Sequence, residues 1–432
     1  MAQQLYAEDY APTTVWALDA TLPAGCASPL PAVADVVIVG AGYTGLSAAR
    51  ETAAAGRSTV VLDAGPIGGG CSSRNGGQVA FSIKPDYQTL ERRYGAMRAA
   101  ALYEEGAAAV GALDELVRHE GLACDWRESG CFIGAHTPRH YGALQRLADE
   151  HRRRLSTPVE VVSRARQHAE IDTDFYHGGA VFPADYSVHP IKLLNALHAR
   201  AVRKGAKVYA HCEVLSFRRE SHGFDVYTTQ GLVKARQVLL ATNGYTGALS
   251  PWHRRRVIPV GSYQIATELL EPSFVQSMIP KARNIGDTRH LVMYARPTPD
   301  GRRIVFGGRA SAAEQDLTRV VPRLVGMMQQ VFPQLTGVRI SRAWMGFVGF
   351  TFDELPHIGN MNELFYCMGY CGQGIPLSVY YGRQVGLKML KRAGSTTALD
   401  GLAFPTRPFY GGFPWFLPAA VHIYRLRDRF GW

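Results

Sequence analysis

Glycines 40, 42 and 45 are spaced G-x-G-x-x-G, directly after the apolar run Val36-Val37-Ile38-Val39. An alanine-rich stretch comes next, then Thr59-Val60-Val61-Leu62 and Asp63. The order is buried strand, glycine turn, helix, second strand and terminal acid. Gly40 permits the tight turn, Gly42 lets a diphosphate approach the backbone, and Gly45 lets the helix pack closely on the strand. The helix opens at Tyr43 and Thr44, where free N–H groups and the helix dipole favour an anion. Asp63, with Ala64 after it, is placed to accept hydrogen bonds from a ribose. This is a dinucleotide site, and the motif does not say which dinucleotide.

The residues after Asp63 separate the alternatives. The stretch Gly68-Gly69-Gly70-Cys71-Ser72-Ser73-Arg74-Asn75-Gly76-Gly77-Gln78 is too glycine-rich for an ordinary helix or strand. It presents backbone N–H groups and small side chains to whatever lies against it. A nicotinamide enzyme would continue with another strand–helix unit, whereas a flavoprotein needs a second cradle. The flavin reading is preferred to a plain surface loop. Two later stretches agree with it. An apolar strand from Gln237 ends in Ala241-Thr242-Asn243-Gly244, which suits a parallel strand with a ligand at its carboxyl end. The strand Leu364–Met368 runs into Gly369-Tyr370-Cys371-Gly372-Gln373-Gly374-Ile375-Pro376, then a helix from Leu377 to about Leu390. Beside a flavin, that helix N-terminus would face the ring edge where negative charge develops on reduction.

Taken together, Gly40–Gly45, Arg74 to Gln78, Ala241 to Gly244, Trp344 to Gly359 and Gly369–Gly374 resemble the D-amino-acid oxidase-like flavoprotein superfamily. The Arg-Asn-Gly-Gly-Gln signature resembles its gamma-glutamylputrescine oxidoreductase branch, and the likeness spans roughly residues 30–395. The resemblance implies an α/β fold, with a discontinuous Rossmann-type FAD-binding domain plus an α+β substrate domain holding a mostly antiparallel mixed sheet. It implies an oxidoreductase acting on CH–NH or CH–NH2 donors, in which FAD accepts a hydride from the amine-bearing carbon and water hydrolyses the imine. Val214 joins the cofactor contacts it implies.

Two departures bear on the substrate. Amino-acid-oxidising relatives often place an arginine near Val348, and valine cannot clamp a carboxylate. Relatives that attach FAD covalently have a cysteine near Gly346. The expectation is non-covalent FAD and an amine substrate, such as a polyamine derivative, rather than a simple alpha-amino acid. Arg309 is an alternative carboxylate holder, and Trp344, Gln373 and Tyr263 complete the candidate catalytic set. Tyr263, Trp344, Phe347, Phe350 and Tyr370 are candidate pocket walls, with core packing the competing role. His189 and His357 each adjoin a proline and read as structural. The electron acceptor, oxygen or another, is left open.

The 432 residues, 47% apolar and 19% charged, suffice for two or three cores. The expected division is an N-terminal arm 1–33, a cofactor domain from 34–89, 155–250 and 342–400, a substrate domain from 90–154 and 251–341, and a tail 401–432. The arm reads as extended over the surface, 207–233 as an antiparallel meander, and 257–310 as longer strands before a helix over 318–331. Seven scattered cysteines form no C-x-x-C or zinc pattern, so no metal is expected and a reducing cytoplasmic setting is. No run of about 18 apolar residues predicts a membrane span. The net charge of +11 admits a flavin-containing RNA-modifying protein as a second class, but the basic clusters lack aromatic platforms. A glycine, sarcosine or D-amino acid oxidase is the other alternative. The aromatic and basic tail suits packing on the protein, a subunit contact or an anionic surface.

Overall fold

The computed structural model describes residues 5–81, 83–155, 158–308 and 316–430. Five strands, Lys207–Tyr209, Thr59–Leu62, Val33–Val39, Gly231–Leu240 and Leu364–Met368, run parallel in one sheet. Their register sets Val39 beside Leu62 and Leu240, and Leu62 beside Tyr209. Gly40, Asp63 and Ala241 therefore leave the sheet at one edge, where ligands of open parallel sheets bind. Val36, Val37, Ile38 and Val39 are buried because both faces are covered. The helices Tyr43–Ala54 and Gly374–Met389 pack on one face. Trp252, Val257 and Phe404 pack on the other. Those two helices touch closely: a Cβ on Gly382 would lie 2.6 Å from the Thr44 carbonyl oxygen. The contact sets both helix N-termini at the same edge of the sheet.

The second sheet has nine strands in the order Tyr6–Ala11, Ile340–Phe350, Ile258–Thr267, Ile304–Gly308, Met293–Pro297, Asn284–Asp287, Cys131–Gly134, Gly179–Phe182 and Glu160–Val162. Most pairs are antiparallel; Tyr6–Ala11 on Ile340–Phe350 and Asn284–Asp287 on Cys131–Gly134 are parallel. The helix Leu317–Val331 lays Val320, Val321, Leu324 and Met328 against one face. No helix among the described residues is long and apolar enough to cross a membrane.

Three local expectations need correction. The N-terminal arm does not lie over the surface: it supplies a sheet strand and then buries Trp16 to 1% exposure. Its far end is tied down at Asp19, which accepts from the buried His189 Nε2 at 2.8 Å and faces the Lys192 ammonium at 3.3 Å. His189 Nδ1 in turn accepts the Lys192 N–H and caps the helix Pro190–Arg203, so the ring is structural and burial holds its pKa below the usual value. In the 207–233 region, Lys207–Tyr209 is a parallel strand. The last strand of the meander and the apolar strand before Ala241 are one continuous element, Gly231–Leu240. The glycine-rich loop also contains one helical turn, Cys71–Arg74, and a short strand, Gln78–Val79, paired with Tyr186–Ser187.

The turn before Tyr186 buries Asp185, and desolvation lifts its carboxyl pKa to about 8 against the help of a backbone hydrogen bond from Phe81. An unfolded chain releases that proton near pH 4, so between about pH 4 and 8 the folded state binds the extra proton and stability falls as pH rises. Asp185→Asn should remove this slope. Denaturant midpoints should favour the variant by about 1 kcal/mol or more at pH 8 relative to pH 5; a difference that stays constant with pH would contradict the burial account.

Candidate functional site

The glycine turn has the geometry its spacing requires. Gly40 has φ +101°, and a Cβ there would lie 2.8 Å from the Ala241 carbonyl oxygen. A Cβ on Gly45 would meet the Gly40 carbonyl oxygen at 2.0 Å. Gly42 caps the helix Tyr43–Ala54, and a Cβ there would meet only Ser72 among the described residues, its Oγ at 2.8 Å. The Ser72 hydroxyl accepts the Tyr43 N–H at 3.0 Å, joining the helix N-terminus to the second glycine stretch. Asp63 closes the turn, accepting Ala41 N–H at 2.9 Å and Gly65 N–H at 3.1 Å. The side chains of Tyr43 and Thr44 are buried braces: the Tyr43 hydroxyl donates to the Pro190 carbonyl, and that of Thr44 bonds the Tyr370 hydroxyl at 2.7 Å. Ala64 is exposed beyond Asp63. Val214 comes two residues after Cys212, whose N–H bonds the Asp63 carbonyl at 2.8 Å, and is therefore near the same edge.

The stretch from Gly70 to Gln78 is a hydrogen-bonded cradle. Ser73 Oγ donates back to the Gly68 carbonyl at 2.8 Å. The Asn75 carboxamide donates to the Cys71 and Ser72 carbonyls, both at 3.0 Å, and accepts the Gly77 N–H at 2.9 Å. Other carbonyls of the loop are met by donors distant in sequence. Arg74 O receives the Trp344 indole at 2.9 Å and Gln264 Nε2 at 2.7 Å. Asn75 O receives the Trp16 indole at 2.8 Å. Gly77 O receives Arg296 Nη1 at 2.6 Å. Gln78 Nε2 completes the set by donating to the Ala295 carbonyl at 2.9 Å. Arg296 is buried 5.2 Å from the Trp16 ring centroid. Desolvation brings its pKa down to about 10, so it remains a cation at neutral pH. Gly76 lies against Tyr294 and Gln264: a Cβ there would be 3.3 Å from the Tyr294 ring.

The third wall comes from two turns. Asn243, at φ +44°, accepts the Gly369 N–H at 2.9 Å, and Gly244 lies against Phe347 and Gly349. The hydroxyls of Thr242 and Thr246 bond at 2.8 Å and brace this turn. Cys371 donates its N–H to the Gly349 carbonyl at 2.9 Å from a left-handed φ of +53°. Gln373 then caps the helix that begins at Gly374 and buries Ile375, while Gly372 is exposed beside it. Gly346 faces the second cradle, since a Cβ there would be 3.5 Å from Arg74 Cβ and from Cys71 Sγ. Val348 lies two residues farther along the same strand face. The Cys71 thiol donates to the Phe347 carbonyl, and burial pushes its pKa up to about 11.

Two of the catalytic candidates are therefore revised. Tyr263 faces away from the cradle: adjacent strand residues alternate faces, and it packs with Ile265, Phe306 and Leu324 beneath the covering helix. The site-facing neighbours are Ser262, bonded to the Tyr294 hydroxyl at 2.9 Å, and Gln264. Trp344, only 2% exposed, supports the Arg74 carbonyl from behind and is a positioning residue. Arg309 lies outside the described residues. Trp16, Gln264 and Arg296 went unrecognised in the sequence, where nothing distinguishes them from other core or surface residues.

Known proteins resemble this chain in sequence and fold. Residues 35–386 match the family described as DAO, FAD dependent oxidoreductase. The gamma-glutamylputrescine oxidoreductase of Escherichia coli (strain K12) is 32% identical over 408 residues, covering 92% of this chain and 93% of that protein. The glycine oxidase of Bacillus subtilis (strain 168) is 22% identical over 355 residues, 80% of this chain and 89% of that one. The crystal structure of glycine oxidase from Geobacillus kaustophilus superposes with a TM-score of 0.73 at 23% identity, covering 88% of this chain and 100% of that chain.

The side-chain-free position at Gly42 beside Ser72, two helix N-termini at one edge and a preformed second loop fit an extended dinucleotide diphosphate. Gly42→Leu should fill the approach and force Ser72 aside. Purified variant is expected to carry less than about a tenth of the parent's flavin per chain, read by absorbance, with its far-ultraviolet circular dichroism retained. Stoichiometric flavin in that variant would show that the diphosphate lies elsewhere.

Proposed function

Because this chain belongs to the family of FAD dependent oxidoreductases, we propose that its substrate is a primary or secondary amine, of the class of gamma-glutamylated and other polyamine derivatives. The observation that carries this reading is Val348, on the same strand face as Gly346 beside the cradle, where an alpha-carboxylate would need a bidentate cation. The similarity to gamma-glutamylputrescine oxidoreductase supports it, and that to glycine oxidase favours an alpha-amino acid as the second reading.

FAD, when bound, supplies a two-electron acceptor for the hydride on the amine-bearing carbon. The protein's part is placement and electrostatics. The turn Gly40–Gly45 and Asp63 would hold the adenosine diphosphate portion, and residues Gly70–Gln78 with Ala241–Gly244 would hold the remainder. The N-terminus of the helix Gly374–Met389, with Gln373 at its cap, would stabilise negative charge at the ring edge. Phe347, Tyr245 and Tyr294 offer aromatic faces near the cradle, suited to a cation on approach and to apolar walls afterwards. No protein base is required, because the hydride leaves once the amine nitrogen is neutral.

The attachment of FAD is read as non-covalent. Gly346 offers no thiol, and the neighbouring Cys71 thiol is bonded to the Phe347 carbonyl with its pKa raised, which opposes thiolate formation. Acid precipitation should release all the flavin as intact FAD; yellow colour in the pellet would contradict this.

Substrate class and ionisation can be read together by anaerobic bleaching of the flavin. Putrescine derivatives should bleach it at least about tenfold faster than glycine or D-alanine, and fast bleaching by those amino acids alone would favour the second reading. The rate should rise from about pH 7 toward 9–10 with one dominant ionisation belonging to the bound amine, since a free alkylammonium titrates near pH 10. An amine of lower pKa should move that ionisation down. An ionisation unmoved by the substrate but absent in His357→Asn would instead identify a protein base.

A further inference from the structure

We propose that the carboxy-terminal segment docks this enzyme on an anionic lipid surface. The segment is fastened to the body on one side. Tyr410 and Phe416 pack with Ile258, Val260 and Phe352, and the Tyr410 hydroxyl donates to the Val257 carbonyl at 2.8 Å. In the helix Leu417–Phe430, Tyr424 stacks on His290, and the Asp428 carboxylate accepts the N–H groups of His290 at 2.8 Å and Leu291 at 3.0 Å.

Other side chains of the segment are apolar and exposed. Phe409, Phe413 and Trp415 are 93%, 71% and 60% exposed, and Ile423 and Leu426 are 50% and 42% exposed. The three aromatics form one knot: Trp415 donates its N–H to the Phe413 carbonyl at 2.9 Å and its indole to the Phe409 carbonyl at 3.4 Å. On the helix, Tyr424 and Asp428 are spaced i, i+4 toward the body, whereas Ile423 and Leu426 are spaced i, i+3 and exposed. A folded chain that leaves large aromatics outward in a local cluster marks a contact surface.

Charge selects the partner. From Gly401 to Arg427 there is no acidic residue, and Arg407, Arg425 and Arg427 are exposed among the aromatics. Arg254 borders the same loop at Gly412, and the Arg255 carbonyl accepts from the Thr406 hydroxyl. The first acid after this stretch, Asp428, is buried and already engaged with the body. The whole chain carries +11. A second copy would bring the same basic segment against itself, whereas anionic headgroups neutralise it while Trp and Phe enter the interfacial layer.

The test is co-sedimentation of the full-length flavin-loaded protein with phosphatidylcholine vesicles, without and with phosphatidylglycerol. Binding should be about tenfold or more tighter to the anionic vesicles and should weaken as salt is raised. Phe413→Ser with Trp415→Ser, and separately Arg425→Gln with Arg427→Gln, should each weaken it by roughly tenfold, while flavin content and solution turnover stay at parental values. The inward anchors are untouched in both variants. The proposal is overturned if the parent stays in the supernatant with both vesicle types, if both double variants bind as the parent does, or if the parent is a dimer that Trp415→Ser dissociates without lipid.

Discussion

Buried carbonyl groups need donors, and the cradle formed by residues 74–77 turns that requirement into architecture. Its carbonyls at Arg74, Asn75 and Gly77 are met by the indoles of Trp344 and Trp16, the carboxamide of Gln264 and the guanidinium of Arg296. The Gly77 carbonyl also accepts the Val188 N–H at 2.9 Å, so donors from several distant elements converge on one short loop. Trp344, Gln264 and Arg296 come from the nine-stranded sheet and Trp16 from the arm that enters it. The glycine turn belongs to the other sheet. The two are joined where Ser72 accepts the Tyr43 N–H. The site is thus a property of the docked pair of sheets.

This division explains which parts are legible in the sequence. The turn at Gly40–Gly45 and the acid at Asp63 form a local strand–turn–helix–strand unit, and a local unit leaves its spacing in the chain. The strand before Ala241 is legible for the same reason, as an apolar run ending in small polar residues. Face assignment across a strand is not legible. Tyr263 and Gln264 are adjacent, and only the position of the helix Leu317–Val331 decides which of them faces the cradle. The proline content of the arm suggests an exposed tether, whereas its parallel pairing with Ile340–Phe350 depends on residues more than three hundred positions away. Arg296 leaves no signal, since its partners are backbone carbonyls rather than acids.

The chemistry asked of the protein is modest in kind and demanding in placement. Helix N-termini supply positive potential at both ends of the proposed cofactor path, one at Gly42 and one at Gln373, and the close contact at Gly382 keeps their spacing fixed. In the proposed function, substrate selection falls to the strand Ile340–Phe350. Gly346 gives the cradle room on one face of that strand, and Val348 presents an apolar side chain two residues away on the same face.

The indole of Trp344 reaches across 270 positions of sequence to the Arg74 carbonyl. During synthesis the cradle is therefore made early and this support late. At about 5–20 residues per second, Arg74 is added to the chain roughly 15–50 s before Trp344. Trp16, Val188, Gln264 and Arg296 all precede Trp344 in the chain, so the Arg74 carbonyl is the one whose donor set completes last, and the strand Tyr6–Ala11 waits unpaired for the same late strand. The donor set of the loop and the pairing of the strand Tyr6–Ala11 are accordingly complete only once the last quarter of the chain is reached. A ribosome stalled before that point would carry a dinucleotide fold with an open floor.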